Sequence, residues 1–456
     1  MSAPRAAAAL TAADIRDCLE GVIPGVMATC APDGTPNVAY LSQVQFVDAG
    51  HVALSFQFFN KTRENVLANP QCTVLLIHPE SGALYRLSLR YLRTETGGPL
   101  FENMKAKLAG IASHSGMSDV FVLRGADIYR VEAIEAVSDG IAAPPPRARR
   151  HLLPALRASA ARLAACTEMG QLFDAAMDCL GGEFGIDHAM LLMRDESAAR
   201  LYTVASHGYA ASGVGSEIAV GQGVIGVAAR ERTPIRIAHM TSDRSYGRAM
   251  RDSVAASGWS DRLDTEIPLP GLPAPGSQLA VPVCAGGTLL GVLFAESERE
   301  LRFSYDDEDA LAALASQLGQ AMRALQACAD ADVAEPAAAA PAPGPAAGAV
   351  PVSVRYYEAD GSVFLDQDYL IKGVAGAIFW KLVGEHAQDG RSAFSNRELR
   401  LDPALGLPDI SDNLEARLVL LARRLVERAA CVRIEKTGRG RFALRVARPL
   451  RLERIG

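Results

Sequence analysis

Three consecutive side chains, Lys61, Thr62 and Arg63 in FFNKTRENVLANPQ, place two positive charges and a hydroxyl between two strand-like runs. Such a set suits a phosphate dianion: hydrogen bonds to charged groups contribute about 1.5–3 kcal/mol each, and an arginine fork binds two oxygens at once. An ordinary solvated turn carries the same residue types, so a phosphate ligand and a charged turn both stand as readings. Asn65 and Asn69 suit helix capping and are left out of the set. A second cationic group lies far downstream. Arg417, Arg424 and Arg428 recur along SDNLEARLVLLARRLVERA, and Arg433, Lys436, Arg439 and Arg441 follow in CVRIEKTGRGRFALRV. From Val352 onward there are 18 Lys/Arg against 14 Asp/Glu, a local +4 in a chain of formal charge −6. Cations along a helix and a hairpin suit the phosphates of duplex DNA. Glu415 and Glu427 share that helix, and Val419 and Leu420 widen its apolar stripe, which suits a protein partner instead.

The elements that must carry these groups fall into three regions. A chain of 456 residues has room for two to four domains, and with 49% apolar and 21% charged residues most of it should fold. IAAPPPRARR, from Ile141, marks one boundary. ADVAEPAAAAPAPGPAAGAVP is too poor in bulky apolar groups to build a core and reads as a linker over 331–350. The folded regions are therefore 10–140, 155–330 and 351–456. Eight cysteines lie scattered with no CxxC, as expected of reduced thiols. No apolar run reaches the roughly 18 residues of a membrane span, and the opening MSAPRAAAALTAADI lacks a signal-peptide core. A cytoplasmic protein with no membrane partner is expected.

In the first region GVMATCAPDGTPNVAYLSQVQFVDAGHVALSFQF reads as strand, PDG turn, strand, DAG turn, strand. NVLANP reads as one helical turn ended by Pro70, CTVLLIHP as the next strand, and FENMKAKLAGIA as a later helix. This order resembles the FMN-binding split barrel of the pyridoxamine-phosphate-oxidase-like family. The resemblance implies FMN, with haem or the deazaflavin F420 as the alternatives that family also carries. It implies Lys61, Thr62 and Arg63 at the flavin phosphate, and Ser42 and Gln43 facing the ring. The substrate contacts of pyridoxamine phosphate oxidase itself are not found. His114, in ASHSG, is the histidine best placed for haem.

PALRASAARLAACTEMGQLFDAAMDCL reads as one long helix. It is followed by two strands around a DES turn, by GQGVIGVAARERTPIRI, and by two strands around Gly286 and Gly287. Together these resemble a GAF domain. Gly221, Gly223 and Gly226 are expected to turn a strand tightly into a helix, and GQGVIG lacks the spacing of a dinucleotide fingerprint. His207, His239 and Cys284 lack metal-site spacing, and burial is the plainer reading of Cys284. Arg244, Tyr246 and Arg248, in TSDRSYGR, fall where many members of that family cover a ligand pocket, which implies a small-molecule contact. RDSVAASGWSDRLDTEIPLPGLPAPG reads as a lid.

The third region runs strands, helix, short helix, long helix, hairpin, with Ser395 or Asn396 and then Ser411 or Asp412 as helix caps. RSAFSNRELR, ARRLVER and TGRGRFAL resemble the winged helix of OmpR-like response regulators. The fold expected overall is a multidomain α+β chain: split β-barrel, GAF α/β sensor fold, winged helix. No catalytic set stands out. The resemblances imply a one-component sensor and transcriptional regulator, a homodimer that takes flavin or a small ligand as input and duplex DNA as output. A flavin-dependent oxidoreductase regulated by its GAF domain is the alternative, since flavin needs few protein groups for its chemistry. A protein-interaction scaffold is the third.

Overall fold

A computed structural model describes residues 10–456 except 21–22, 58–60, 115–121, 139–149, 196–197, 239–266, 332–349, 406 and 408–413. The first region forms a seven-stranded antiparallel sheet from β1 (Gly25–Cys30), β2 (Pro36–Leu41), β3 (Val44–Asp48), β4 (His51–Phe56), β5 (Gln71–Ile77), β6 (Leu84–Glu95) and β7 (Gly125–Ser138), in the order β2-β1-β5-β6-β7-β4-β3. The run PNVAYLSQVQFVD, expected as one strand, is two. Its halves lie on opposite edges of the sheet, so the chain must cross over at Ser42 and Gln43. Register shifts at Ser88/Leu89 and Tyr91/Arg93 bend the long β6, as bulges do where a sheet curls. Helix α1 (Lys61–Ala68) is longer than the single turn expected and begins at Lys61, so the three phosphate candidates form its first turn. Helix α2 (Pro99–His114) packs its Phe101, Met104 and Leu108 on β4 and β7.

The second region opens with two helices where one was expected, α3 (Leu153–Ala164) and α4 (Met169–Gly182). The break lets α4 lie on the sheet while α3 pairs with the long helix that closes the domain. The sheet has six strands, β8 (His188–Asp195), β9 (Arg200–His207), β10 (Glu217–Ala219), β11 (Ile235–Ile237), β12 (Ser277–Ala285) and β13 (Thr288–Ser297), ordered β10-β9-β8-β13-β12-β11. Helix α5 (Gly223–Glu231) covers one face, and α3, α4 and α6 (Tyr305–Ala331) cover the other. The expected tight entry to α5 is present: Gly221 and Gly223 have φ of +93° and +60°, and a Cβ on Gly226 would stand 2.3 Å from the Ala219 carbonyl oxygen.

The third region contains β14 (Val352–Tyr357), β15 (Ser362–Leu365), β16 (Asp368–Ile371), α7 (Gly373–Asp389), β17 (Ala393–Ser395), α8 (Asn396–Leu401), α9 (Leu414–Glu427), β18 (Val432–Gly438), β19 (Arg441–Val446) and β20 (Leu450–Ile455). Ser395 caps α8 in a full capping box with Glu398; the caps expected at Ser411 and Asp412 lie outside the described residues. Strand β20, unforeseen in the sequence, pairs in parallel with β14. Leu414, Leu418, Leu421 and Leu425 form the expected buried stripe of α9.

The regions do not sit apart. Ala106 of α2 belongs to the core between α5 and the six-stranded sheet of the second region. At the same junction Arg236 of β11, almost fully buried, bonds Glu20 at 2.6 Å and Glu308 at 2.8 Å. On the far side, the helices of the second region and the C-terminal unit share one apolar core.

Candidate functional site

The first turn of α1 borders an open cleft floored by β2 and β4. Its lining includes Ser42, Ser55, Gln57, Thr62, Arg63 and Asp127, with Met27, Leu54, Phe56, Val66 and Tyr129 as apolar wall. Thr62 is positioned by Asn37 of β2, whose Nδ2 donates to its Oγ1 at 2.8 Å. Arg63 is held more firmly. Its Nη1 donates to the Asp127 carboxylate of β7, its Nη2 donates to Thr94 Oγ1 at 2.7 Å, and its guanidinium lies 4.4 Å from the Phe56 ring centroid. Thr94 closes the set by donating to Asp127 Oδ1 at 2.6 Å. Burial alone works against the Arg63 charge, but the Asp127 charge and bond outweigh it and the pKa moves up. Arg63 therefore serves the barrel's own structure as well as the cleft.

Of the five sequence candidates, Ser42, Thr62 and Arg63 come together at the cleft. Gln43 is buried beside it, and Lys61 points to solvent, where it meets Glu64 at 3.5 Å. An exposed pair of that kind contributes little, which leaves the Lys61 ammonium available. Residues that sequence reasoning missed complete the lining. Ser55 Oγ and Gln57 Oε1 are buried with no hydrogen-bond partner among the described residues. Buried polar atoms rarely stay unsatisfied, so this edge offers bonding sites to ordered water or to a polar ligand. The alternating run HVALSFQ did carry a signal for Ser55 and Gln57, which fall two apart on one strand face. Nothing local marked Asp127. The donor set fits a flavin: apolar wall for the ring faces, polar atoms for its edge, and a helix N-terminus with Thr62 and Lys61 for a phosphate. His114 closes α2, but its side chain lies outside the described residues.

In the second region Arg244, Tyr246, Arg248 and His239 lie outside the described residues. The buried Glu296 carboxylate of β13 collects three donors: Tyr209 Oη at 2.9 Å, the Leu272 N–H at 2.7 Å and Gln278 Nε2 at 3.1 Å. Burial, then the Glu296 charge, pushes the Tyr209 pKa up, so the phenol keeps its proton and donates. Burial likewise raises the Cys284 thiol. Among the described residues no three His, Cys, Asp or Glu side chains gather as a metal site.

The expected DNA-binding set divides. Arg428, Arg433, Lys436 and Arg439 are exposed and Arg441 is half-buried. Arg417 and Arg424, expected along an open edge of the helix, are 3% and 5% exposed, and this is a correction. Arg417 pairs with Asp195 of the second region, and Arg424 donates to the Leu370 carbonyl and to Glu427. Helix α9 buries a second face against another domain, which an amphipathic pattern cannot distinguish from a solvated basic edge.

Comparison with known proteins places two of the three regions. Residues 11–126 match the pyridoxamine 5'-phosphate oxidase family, and residues 168–322 match the GAF domain family. The chain thus carries an N-terminal domain of the FMN-binding pyridoxamine-phosphate-oxidase type and a central GAF domain; neither match extends to the C-terminal unit. No curated protein matches the chain. Among solved structures, the GAF domain from an Acinetobacter phosphoenolpyruvate-protein phosphotransferase is 19% identical, with 38% of this chain and 94% of that one covered and a TM-score of 0.30. Free methionine-R-sulfoxide reductase from Neisseria meningitidis, in complex with its substrate, is 20% identical over 38% of this chain and 89% of that one, at a TM-score of 0.29. An FMN-binding protein from Syntrophomonas wolfei is 14% identical over 28% of this chain and 88% of that one, at a TM-score of 0.24. No helix among the described residues is long and apolar enough to cross a membrane.

Proposed function

We propose that this chain is a flavin-dependent oxidoreductase whose barrel holds flavin mononucleotide and whose GAF domain regulates it. The observation that carries the reading is the cleft edge at Ser55 and Gln57, where Ser55 Oγ and Gln57 Oε1 are inaccessible atoms with no hydrogen-bond partner among the described residues. An isoalloxazine edge supplies both donors and acceptors to such atoms. Leu54, Phe56 and Tyr129 shield the ring faces from water, while Thr62, Lys61 and the first turn of α1 receive the phosphate. Bound there, flavin supplies the redox chemistry; the protein binds, orients and keeps water out. The reading includes a second copy of the chain, as the resemblance to split barrels implies. Val38 and Tyr40, 66% and 83% exposed on the edge strand β2 that borders the cleft, are apolar surface for that copy to cover.

The transcription-regulator reading takes second place, because Arg417 and Arg424 are occupied within the chain. The test is direct. Protein loaded with excess FMN and desalted is scanned for a retained flavin band, then assayed for NADH and NADPH oxidation. Retained flavin with turnover supports the proposal. No flavin band after loading, or a Soret band from bound haem, removes it. Flavin retained without turnover moves the barrel from enzyme to sensor.

A further inference from the structure

The contact between the GAF domain and the C-terminal unit is charged in one direction. Arg417 meets Asp195 at 3.2 Å, Arg423 meets Asp174 at 2.6 Å, Lys372 meets Glu217 at 3.2 Å and Lys436 stands 3.8 Å from Glu168. All four cations come from the C-terminal unit and all four anions from the GAF domain. The anions are dispersed over it: Glu168 precedes α4, Asp174 lies within α4, Asp195 ends β8 and Glu217 begins β10. The cations come from three elements: Arg417 and Arg423 from α9, Lys436 from the adjoining β18 and Lys372 from the residue before α7. Arg423 also donates to the Val204 carbonyl at 2.7 Å. A row of guanidinium and ammonium groups on a helix and its neighbouring hairpin is what a phosphate backbone requires.

We infer that the acidic face of the GAF domain stands in for a nucleic-acid backbone, holding the C-terminal unit closed, and that duplex nucleic acid is the ligand it excludes. The flavin reading is not needed for this. Separation of the units returns Arg417 to water and opens the apolar core that they share, the contact of Val419 beside Gly170 included. A duplex offsets that loss by releasing its own condensed counterions as the arginines bind. The covalent tether keeps the acidic face at high effective concentration, so the closed form wins until that face is weakened.

The experiment uses the full chain. Asp174→Asn with Glu217→Gln weakens the acidic face; Asp178→Asn with Glu135→Gln removes the same charge at sites paired with Arg162 and Arg86. Small-angle scattering reads opening as a larger radius of gyration, and fluorescence anisotropy reads binding of a mixed-sequence duplex at low salt. The first pair should open the molecule and tighten duplex binding about tenfold, an advantage that fades as salt rises, while the control pair changes neither. Opening without tighter binding overturns the inference. So does an equal gain in the control pair, or a wild-type chain that binds duplex as tightly as the opened variant.

Discussion

Arg63 and Asp127 form an ion pair across the barrel, joining the first turn of α1 to the start of β7, and both side chains are nearly buried. Such a pair is costly to break from one side, because the remaining charge is left without compensation. R63A should therefore lower the unfolding free energy by about 3–5 kcal/mol, measured by urea denaturation of the full chain. K61A should leave stability unchanged yet weaken FMN binding by about 1.5–3 kcal/mol, measured by flavin fluorescence. Equal losses of flavin in both variants, with no destabilisation of R63A, would show that Arg63 works for the ligand alone.

The junction of barrel and GAF domain should loosen in acid. Burial disfavours the Glu308 carboxylate, but Lys107 and Arg236 outweigh it, and its pKa falls below the ordinary 4.5. A carboxylate depressed in the folded state stabilises it above that ordinary value, and the benefit is lost as pH falls through the lowered one. Calorimetry should show the melting temperature dropping steeply below pH 4.5, with the drop blunted in E308Q. An equally steep drop in E308Q would assign the effect to other acids.

A second copy on β2 should give a light-scattering mass of two chains. V38D/Y40D should return one chain and retain less FMN. A wild-type mass of one chain at micromolar concentration would refute the dimer.

Ser395 and Glu398 satisfy each other's backbone at the start of α8. S395A should lower stability by about 1 kcal/mol, seen as a shifted denaturant midpoint with an unchanged slope. An unshifted midpoint would mean that this cap adds nothing.

Gly226 sits inside α5, where alanine would ordinarily favour the helix by about 1 kcal/mol. Here the new methyl would stand 2.3 Å from the Ala219 oxygen and 2.9 Å from Gly221 N. G226A should therefore lower the melting temperature; a rise would mean that the turn can shift to admit it.

What the sequence disclosed was local. The turn at Gly286 and Gly287, the glycines entering α5, the Ser395 cap and the leucine stripe of α9 each follow from residues within one or two turns of one another. What stayed hidden was decided at a distance. The break at Ser42 and Gln43 exists because β2 and β3 lie on opposite sheet edges. Asp127 meets Arg63 only because β7 returns beside β4. Arg417 and Arg424 of α9 read as a surface edge until Asp195 of the neighbouring domain meets the first, and the Leu370 carbonyl and Glu427 the second. For the site, the helix-borne half was legible as a basic and hydroxyl run, and the strand-borne half, Ser55 and Gln57, was not separated from an ordinary alternating strand.

The parallel pairing of β14 with β20 has a mechanical consequence. Strand β14 receives the chain from the linker, and β20 is registered along its length, from Val352 opposite Leu450 to Tyr357 opposite Ile455. Tension between the linker and the end of β20 pulls two parallel strands past each other, loading their hydrogen bonds together in shear instead of peeling them one at a time. A pull on the start of β14 against the end of β20 therefore meets these bonds together and does not fray them singly from the point of entry.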